Sequence, residues 1–231
     1  MEEKRVLVAM SGGVDSAVCA LLLKERGYDC IGCTMKLYDN GDTGVPQSRT
    51  CCALDDVEDA RSVAFRLGMP HYVLNFQEEF RCRVMEKFVR SYEEGLTPNP
   101  CIDCNRYLKF GALYERAGTL GREYVATGHY ARIERDPDSG RYLLKKARME
   151  EKDQSYVLAC LTQEQLSHTL FPLGELSKAQ VRALAGEHGF LNAGKPDSQD
   201  ICFVPDGDYV GFMERFTGKE YPAGDFVDPE G

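Results

Sequence analysis

Short apolar runs alternate along the chain with stripes at helical spacing. Residues 5–10 (RVLVAM) form a β-rich run that ends at Ser11-Gly12-Gly13. Residues 16–26 then predict a helix, with Gly27 as its stop. Residues 29–35 predict a second strand, and the polar, Gly-rich stretch 40–50 a loop. An amphipathic helix over 54–67, a strand over 71–76 and a long helix over 78–94 follow. The turn 97–100 (TPNP) leads to a helix over 105–120 and a fourth strand over 123–127. This alternation predicts βαβ units, hence an α/β fold with a parallel sheet and helices on both faces. Ligands of such sheets bind at the carboxyl ends of the strands. The segments 11–16, the stretch after Met35 and Gly128-His129-Tyr130 therefore share one rim. Beyond residue 130 the pattern changes to a hairpin (131–135 with 142–146) and several helices, of which 177–188 is the clearest. A soft boundary near residue 150 divides an α/β domain, 1–150, from a smaller, mostly helical part, 151–231.

Composition narrows the class. Of 231 residues, 43% are apolar and 28% charged, which is globular usage. No uncharged apolar run approaches about 18 residues, so no membrane partner or membrane span is expected. The N-terminus lacks the pattern of a secretion signal. The net charge of −9 argues against a general polyanion binder, though not against a local nucleic-acid contact. Ten cysteines without a signal peptide point to a reducing, cytoplasmic compartment, where clustered thiols do redox or metal chemistry. Cys19, Cys30, Cys33, Cys82 and Cys160 lie in apolar or amphipathic stretches and read as small core residues.

The strongest local signal is Ser11-Gly12-Gly13-Val14-Asp15-Ser16. Two glycines permit a tight turn and close backbone approach. The free N–H groups at the following helix start make an anion site, and Ser11 and Ser16 add hydroxyls. Neither GxxxxGK[ST] nor GxGxxG occurs in the chain, which excludes the common phosphate loops. The plain alternative is a Gly-rich turn with Asp15 or Ser16 as helix cap. This hexapeptide resembles the SGGxDS motif of the PP-loop ATP pyrophosphatases, whose fold is adenine nucleotide alpha-hydrolase-like. Further motifs follow in order: Cys51-Cys52, the segment 99–105 (NPCIDCN), 126–132 (ATGHYAR), 152–156 (KDQSY) and 198–203 (SQDICF). Together they resemble the MnmA family of tRNA-specific 2-thiouridylases, essentially end to end.

That resemblance implies a function: ATP-dependent 2-thiolation of the wobble uridine of tRNA, a sulfurtransferase reaction. It implies ATP and Mg²⁺ at Ala9, Met10, Ser11, Gly12, Gly13, Val14, Asp15 and Ser16, with Asp15 helping to place Mg²⁺. Met35 and Gly128 would lie near the adenosine. Asn99, Pro100 and Cys101 would meet the target base, and His129, Lys152, Asp153 and Gln154 would contact tRNA. Cys104 would be the nucleophile and Cys202 would carry a persulfide delivered by a sulfur-donor protein or another sulfide source. The chemistry is coherent. A uracil C2 oxygen leaves poorly until adenylated, a persulfide is a potent sulfur nucleophile, and a second cysteine can release the sulfur by closing a disulfide. Cys104 is expected at a helix start, which favours a thiolate.

Two departures from the family pattern matter. Many members carry Asp where this chain has Cys101. Cys101, Cys104 and Cys202 could therefore hold three corners of a [4Fe-4S] cluster, with the fourth iron open to sulfur. Persulfide chemistry, a cluster and a structural zinc all stay open from the residues alone. The family also continues into a C-terminal β-barrel, whereas this chain ends at Gly231. A truncated form is thus expected, one that binds ATP but thiolates tRNA poorly or not at all. Other function classes are an amide-forming synthetase of the same superfamily, or a non-catalytic fragment that binds ATP or tRNA. His71, His168 and His188 read as structural or surface residues. The basic run Lys145-Lys146-Ala147-Arg148 is either an RNA phosphate contact or a solvated hairpin end.

Overall fold

The structure is a computed structural model, and it describes residues 4–38, 54–196, 201–225 and 227–228. The expected loop 40–50, Cys51-Cys52 and Ser198-Gln199-Asp200 lie outside the described residues. Five strands build one parallel sheet: β1 (Arg5–Ala9), β2 (Asp29–Lys36), β3 (His71–Asn75), β4 (Tyr124–Ala126) and β7 (Thr169–Leu170). Their order is β3-β2-β1-β4-β7. The hairpin β5 (Ala131–Arg135) and β6 (Tyr142–Lys146) forms a separate antiparallel pair. The expected α/β architecture is borne out.

The alternation of side chains along the central strands creates two cores. Val6, Val8, Cys30 and Ala126 share one core with α1 (Val14–Glu25) and α2 (Leu54–Arg66). Leu7, Ile31, Cys33 and Val125 share the other with two long helical runs, α3 (77–93) and α4 (100–119). Both runs contain π-helical stretches, Arg81–Met85 and Cys104–Ala112. After α5 (Gln163–Ser167) the chain returns to the sheet as β7. Later residues then join both cores. Val181 and Ala185 of α6 (Lys178–Glu187) pack into the first, Phe203 and Phe212 into the second. Phe212 lies on α7 (Tyr209–Thr217).

Two local expectations are corrected. The helix expected from residue 105 starts at Pro100, because Asn99 Oδ1 accepts the Cys101 amide at 3.1 Å and Pro100 follows as the first helical residue. Cys104 is therefore one turn inside the helix, and its own N–H donates to the Pro100 carbonyl. Cys82, expected in the core, is exposed on the outer side of α3. Its amphipathic surroundings did not reveal which face it occupies.

The strand order has one functional consequence. The chain steps from β1 to β2 and β3 on one side and to β4 on the other. The crevice at this reversal opens beyond the carboxyl ends of β1 and β4. Ser11 follows β1 and Gly128 follows β4.

Candidate functional site

The loop after β1 is shaped by backbone against backbone. Gly12 has φ +77°, and a Cβ there would lie 2.4 Å from the Asp56 carbonyl oxygen. A Cβ on Gly128 would lie 2.8 Å from the Asp15 carbonyl carbon. Both positions thus admit only glycine. Gly13 is the residue that caps α1, in an extended conformation and without a side-chain cap. Ser16 closes the loop instead: its Oγ donates to the Gly13 carbonyl at 3.0 Å and accepts the Ser11 N–H at 3.2 Å. The first-turn amides of α1 have no intrahelical acceptor and carry the positive end of the helix dipole.

Three residues from beyond position 170 brace this loop. Lys178 Nζ lies 2.8 Å from both Asp15 carboxylate oxygens, and the Tyr130 hydroxyl donates to Asp15 Oδ1 at 2.8 Å. Asn192 Nδ2 donates to the Gly12 carbonyl at 2.9 Å. Lys195 bridges Asp56 and Asp59 at 2.5 and 2.7 Å. Burial opposes the Lys195 charge, but the two carboxylates outweigh it and raise its pKa.

A cavity of about 500 Å³ opens beside the loop. Its wall includes Ala9, Met10, Ser11, Gly13, Val14, Asp15 and Ser16, with Met35 and Gly128. Across from them it includes Pro100, Cys101, Cys104 and Cys202, and also His129, Lys152 and Gln154. Gly12, Asn99 and Asp153 stand outside the lining. Asn99 caps α4. Asp153 accepts the Ala147 amide at 2.8 Å and the Ser155 hydroxyl at 2.7 Å, which ties the hairpin to the rim. Gln154 Oε1 accepts the Tyr130 amide at 3.0 Å. His129 is buried, with Nδ1 2.7 Å from Thr127 Oγ1. Burial, assisted by Lys109, pushes its pKa well below the usual histidine value, so the ring is neutral at pH 7.

The three thiols differ in setting. Cys101 is exposed, Cys104 is buried and Cys202 is half-buried. Cys202 is held through its neighbours. The Phe203 ring sits 5.6 Å from Phe80, 5.2 Å from Phe88 and 5.1 Å from Phe212, and the Tyr38 hydroxyl donates to the Cys202 carbonyl. Among the described residues, no group of three or more His, Cys, Asp or Glu side chains is close enough to hold a metal ion. The ligand set Cys101, Cys104 and Cys202 thus does not fit a cluster as it stands. Cys30 and Cys33 behave as expected of core thiols, since burial raises them to about 11 and about 12.

Sequence reasoning missed Lys178, Lys195, Asn192 and Asn105. The Ser177–Gln180 capping box announces α6, yet no local signal turns its first residue toward the loop. Asn105, 1% exposed, lines the cavity next to Cys104. Its Nδ2 donates to the Val157 carbonyl at 3.3 Å, while its Oδ1 has no partner among the described residues.

A parallel sheet with an anion loop at its switch point defines an α/β nucleotide-binding class of fold. The NMN synthetase of Francisella tularensis shares that fold, with a TM-score of 0.50 at 19% identity over 96% of this chain and 80% of that one. The family is narrower: residues 4–206 match the tRNA methyl transferase HUP domain family, and the chain belongs to it. The tRNA-specific 2-thiouridylase MnmA of Clostridioides difficile (strain 630) is 53% identical over 99% of this chain. That of Geotalea uraniireducens (strain Rf4) is 52% identical over all of it. The chain spans 63% and 62% of the length of these two relatives. The resemblance read from the motifs is borne out at the level of the family.

Proposed function

We propose that the chain carries the catalytic machinery for ATP-dependent 2-thiolation of uridine in tRNA. One observation carries this reading: the Ser11–Ser16 loop, Cys104 and Cys202 line a single cavity. A substrate in that cavity can meet the nucleotide phosphates and the thiols without leaving.

In this reading the loop amides and Ser11 grip the phosphates of ATP. The C2 oxygen of the uracil attacks the α-phosphorus and pyrophosphate departs, which leaves a C2–O–AMP group. The terminal sulfur of a Cys202 persulfide attacks C2 and AMP leaves, giving a C2–S–S–Cys202 adduct. The Cys104 thiolate then attacks Cys202 Sγ. The adduct's S–S bond breaks, the electron pair stays on the sulfur at C2, and a Cys104–Cys202 disulfide forms. A dithiol reductant and a sulfur-donor protein restore the starting state. Mg²⁺ is held on nucleotides by phosphate oxygens with one or two carboxylates, and here it would offset phosphate charge. Asp15 and Asp56 are the carboxylates in the cavity wall that would hold it. The persulfide route is favoured over a [4Fe-4S] cluster by the spread of the three thiols. Residues 151–231 serve tRNA recognition as well as bracing the loop, with Lys152 and His129 facing the RNA. Such a reaction belongs in the cytoplasm.

The test is the fate of ATP. Incubated with tRNA and a sulfur source, the protein should release AMP and pyrophosphate. Release of ADP and phosphate would overturn the assignment. A second reading, an amide-forming synthetase, would leave turnover intact in Cys104→Ser and Cys202→Ser.

A further inference from the structure

The protein is acidic, at net charge −9, yet one surface is basic, with three arginines that lack a carboxylate partner among the described residues. Arg83, Lys87 and Arg90 project from α3 at helical spacing, and with Tyr107 of α4 they line a surface depression of about 160 Å³. Arg83 and Arg106 both lie over the same aromatic ring, their guanidinium carbons 5.4 and 5.3 Å from the Tyr107 centroid. Lys87 is engaged by Asp103 at 2.7 Å. Arg83, Arg90 and Arg106 have no carboxylate partner within ion-pair distance among the described residues, and all three are exposed.

The contrast with the hairpin is informative. Its basic run looks like an RNA contact in the sequence, but Lys145 is held by Glu134 and Arg148 by Glu175. Those two charges are engaged within the protein. On α3 the arginines alternate with glutamates in sequence, so no basic cluster is visible there. Some of the neighbouring acids turn to other partners: Glu86 to Arg81, Glu93 to Lys219.

Position gives this patch a meaning. Arg106 lies two residues beyond Cys104 and five beyond Cys101 on the same helix. It is thus between about one and one and a half helical turns from Cys101, which stands on the cavity wall. Phosphates that flank a base in the cavity would pass close to this helix. We propose that Arg83, Arg90 and Arg106 form a docking surface for the phosphodiester backbone of the RNA whose base enters the cavity. Tyr107 holds two of the guanidinium planes ready, which lowers the ordering cost of contact. The inference rests on the tRNA reading above.

The experiment measures binding of an unmodified tRNA transcript by the chain and by R83Q/R90Q/R106Q, as a function of salt, with ATP binding as a control of integrity. The triple variant should bind at least tenfold more weakly at moderate salt. Its log–log salt slope should fall by about 2 to 3, near 0.7–0.9 per lost phosphate contact. The paired-charge variant K145Q/R148Q should leave the slope unchanged. The single reversal R106E gives a second reading should the triple variant fold poorly, and should weaken binding at least tenfold by itself. If wild type binds tRNA and neither the triple variant nor R106E changes affinity or slope, the docking surface is refuted while the tRNA reading stands. Absence of tRNA binding by wild type refutes both. Loss of binding to a sulfur-donor protein, with tRNA binding intact, reassigns the patch to that partner and also refutes the proposal.

Discussion

The loop between β1 and α1 is shaped by backbone packed on backbone, whereas the Cys202 segment is positioned by side chains, chiefly the Phe203 ring and the Tyr38 hydroxyl. At the phosphate end, Gly12 lies against Asp56 and Gly128 against Asp15, and there is no room for any side chain. At the thiol end, Phe203 sits among Phe80, Phe88 and Phe212 and carries Cys202 to the cavity wall. The first arrangement is rigid because it has one solution. The second is adjustable, since an aromatic ring can repack while its neighbour moves. The activity proposed above, gripping a triphosphate and then passing sulfur between two cysteines, would have use for both.

This contrast can be broken from either end. Phe203→Ala removes a ring that is 1% exposed and should cost about 3–5 kcal/mol, read from urea unfolding. At temperatures where it stays folded, it should lose thiolation and keep ATP binding. Gly12→Ala should show the opposite pattern. A left-handed φ and a 2.4 Å overlap with backbone predict about 2–4 kcal/mol of destabilisation and loss of ATP binding, with the thiols still alkylated as in wild type. Lys178→Met probes the bracing of the loop from a distance. It leaves the Asp15 carboxylate facing the phosphates with Tyr130 as its remaining close partner, and ATP should bind about tenfold more weakly, or about 1.4 kcal/mol by calorimetry.

The smallest effect is a pH dependence. Burial lowers the pKa of both His71 and His129, so each is held neutral in the fold. As pH falls below about 6.5, the unfolded chain takes up protons that the folded chain refuses, and stability declines. The contribution is complete above about 6.5 and is lost toward the folded-state pKa values. His71→Gln should flatten the slope of stability against pH in this window. An unchanged slope would mean that His71 takes up its proton in the fold as readily as in the unfolded chain.

How far the sequence speaks follows the same division. The β1–loop–α1 unit is legible because local rules fix it: a β-rich run, two glycines and a helical stripe. The shared rim follows from the order of strands, and Gly128 was placed there for that reason. α4 starts five residues before the expected position, since Asn99 and Pro100 read as a turn in the sequence yet serve as cap and first helical residue. Lys178 and Lys195 were invisible, because their approach to Asp15 and Asp56 spans 163 and 139 residues. Cys82 was misjudged because an amphipathic stretch does not reveal its buried face. The role proposed for Cys202 comes from family resemblance alone, since its position depends on where Phe203 packs.

The central claim is that the loop and the two thiols of one cavity act on a single uridine. The most direct test is single-turnover reaction of the protein with tRNA, ATP, Mg²⁺ and a sulfur source, followed by mass spectrometry of the digested nucleosides. With the protein in excess over tRNA, so that weak RNA binding does not limit the yield, wild type should give 2-thiouridine at one position, and Cys104→Ser and Cys202→Ser should each give none while still binding ATP. Undiminished 2-thiouridine from either serine variant would contradict the account.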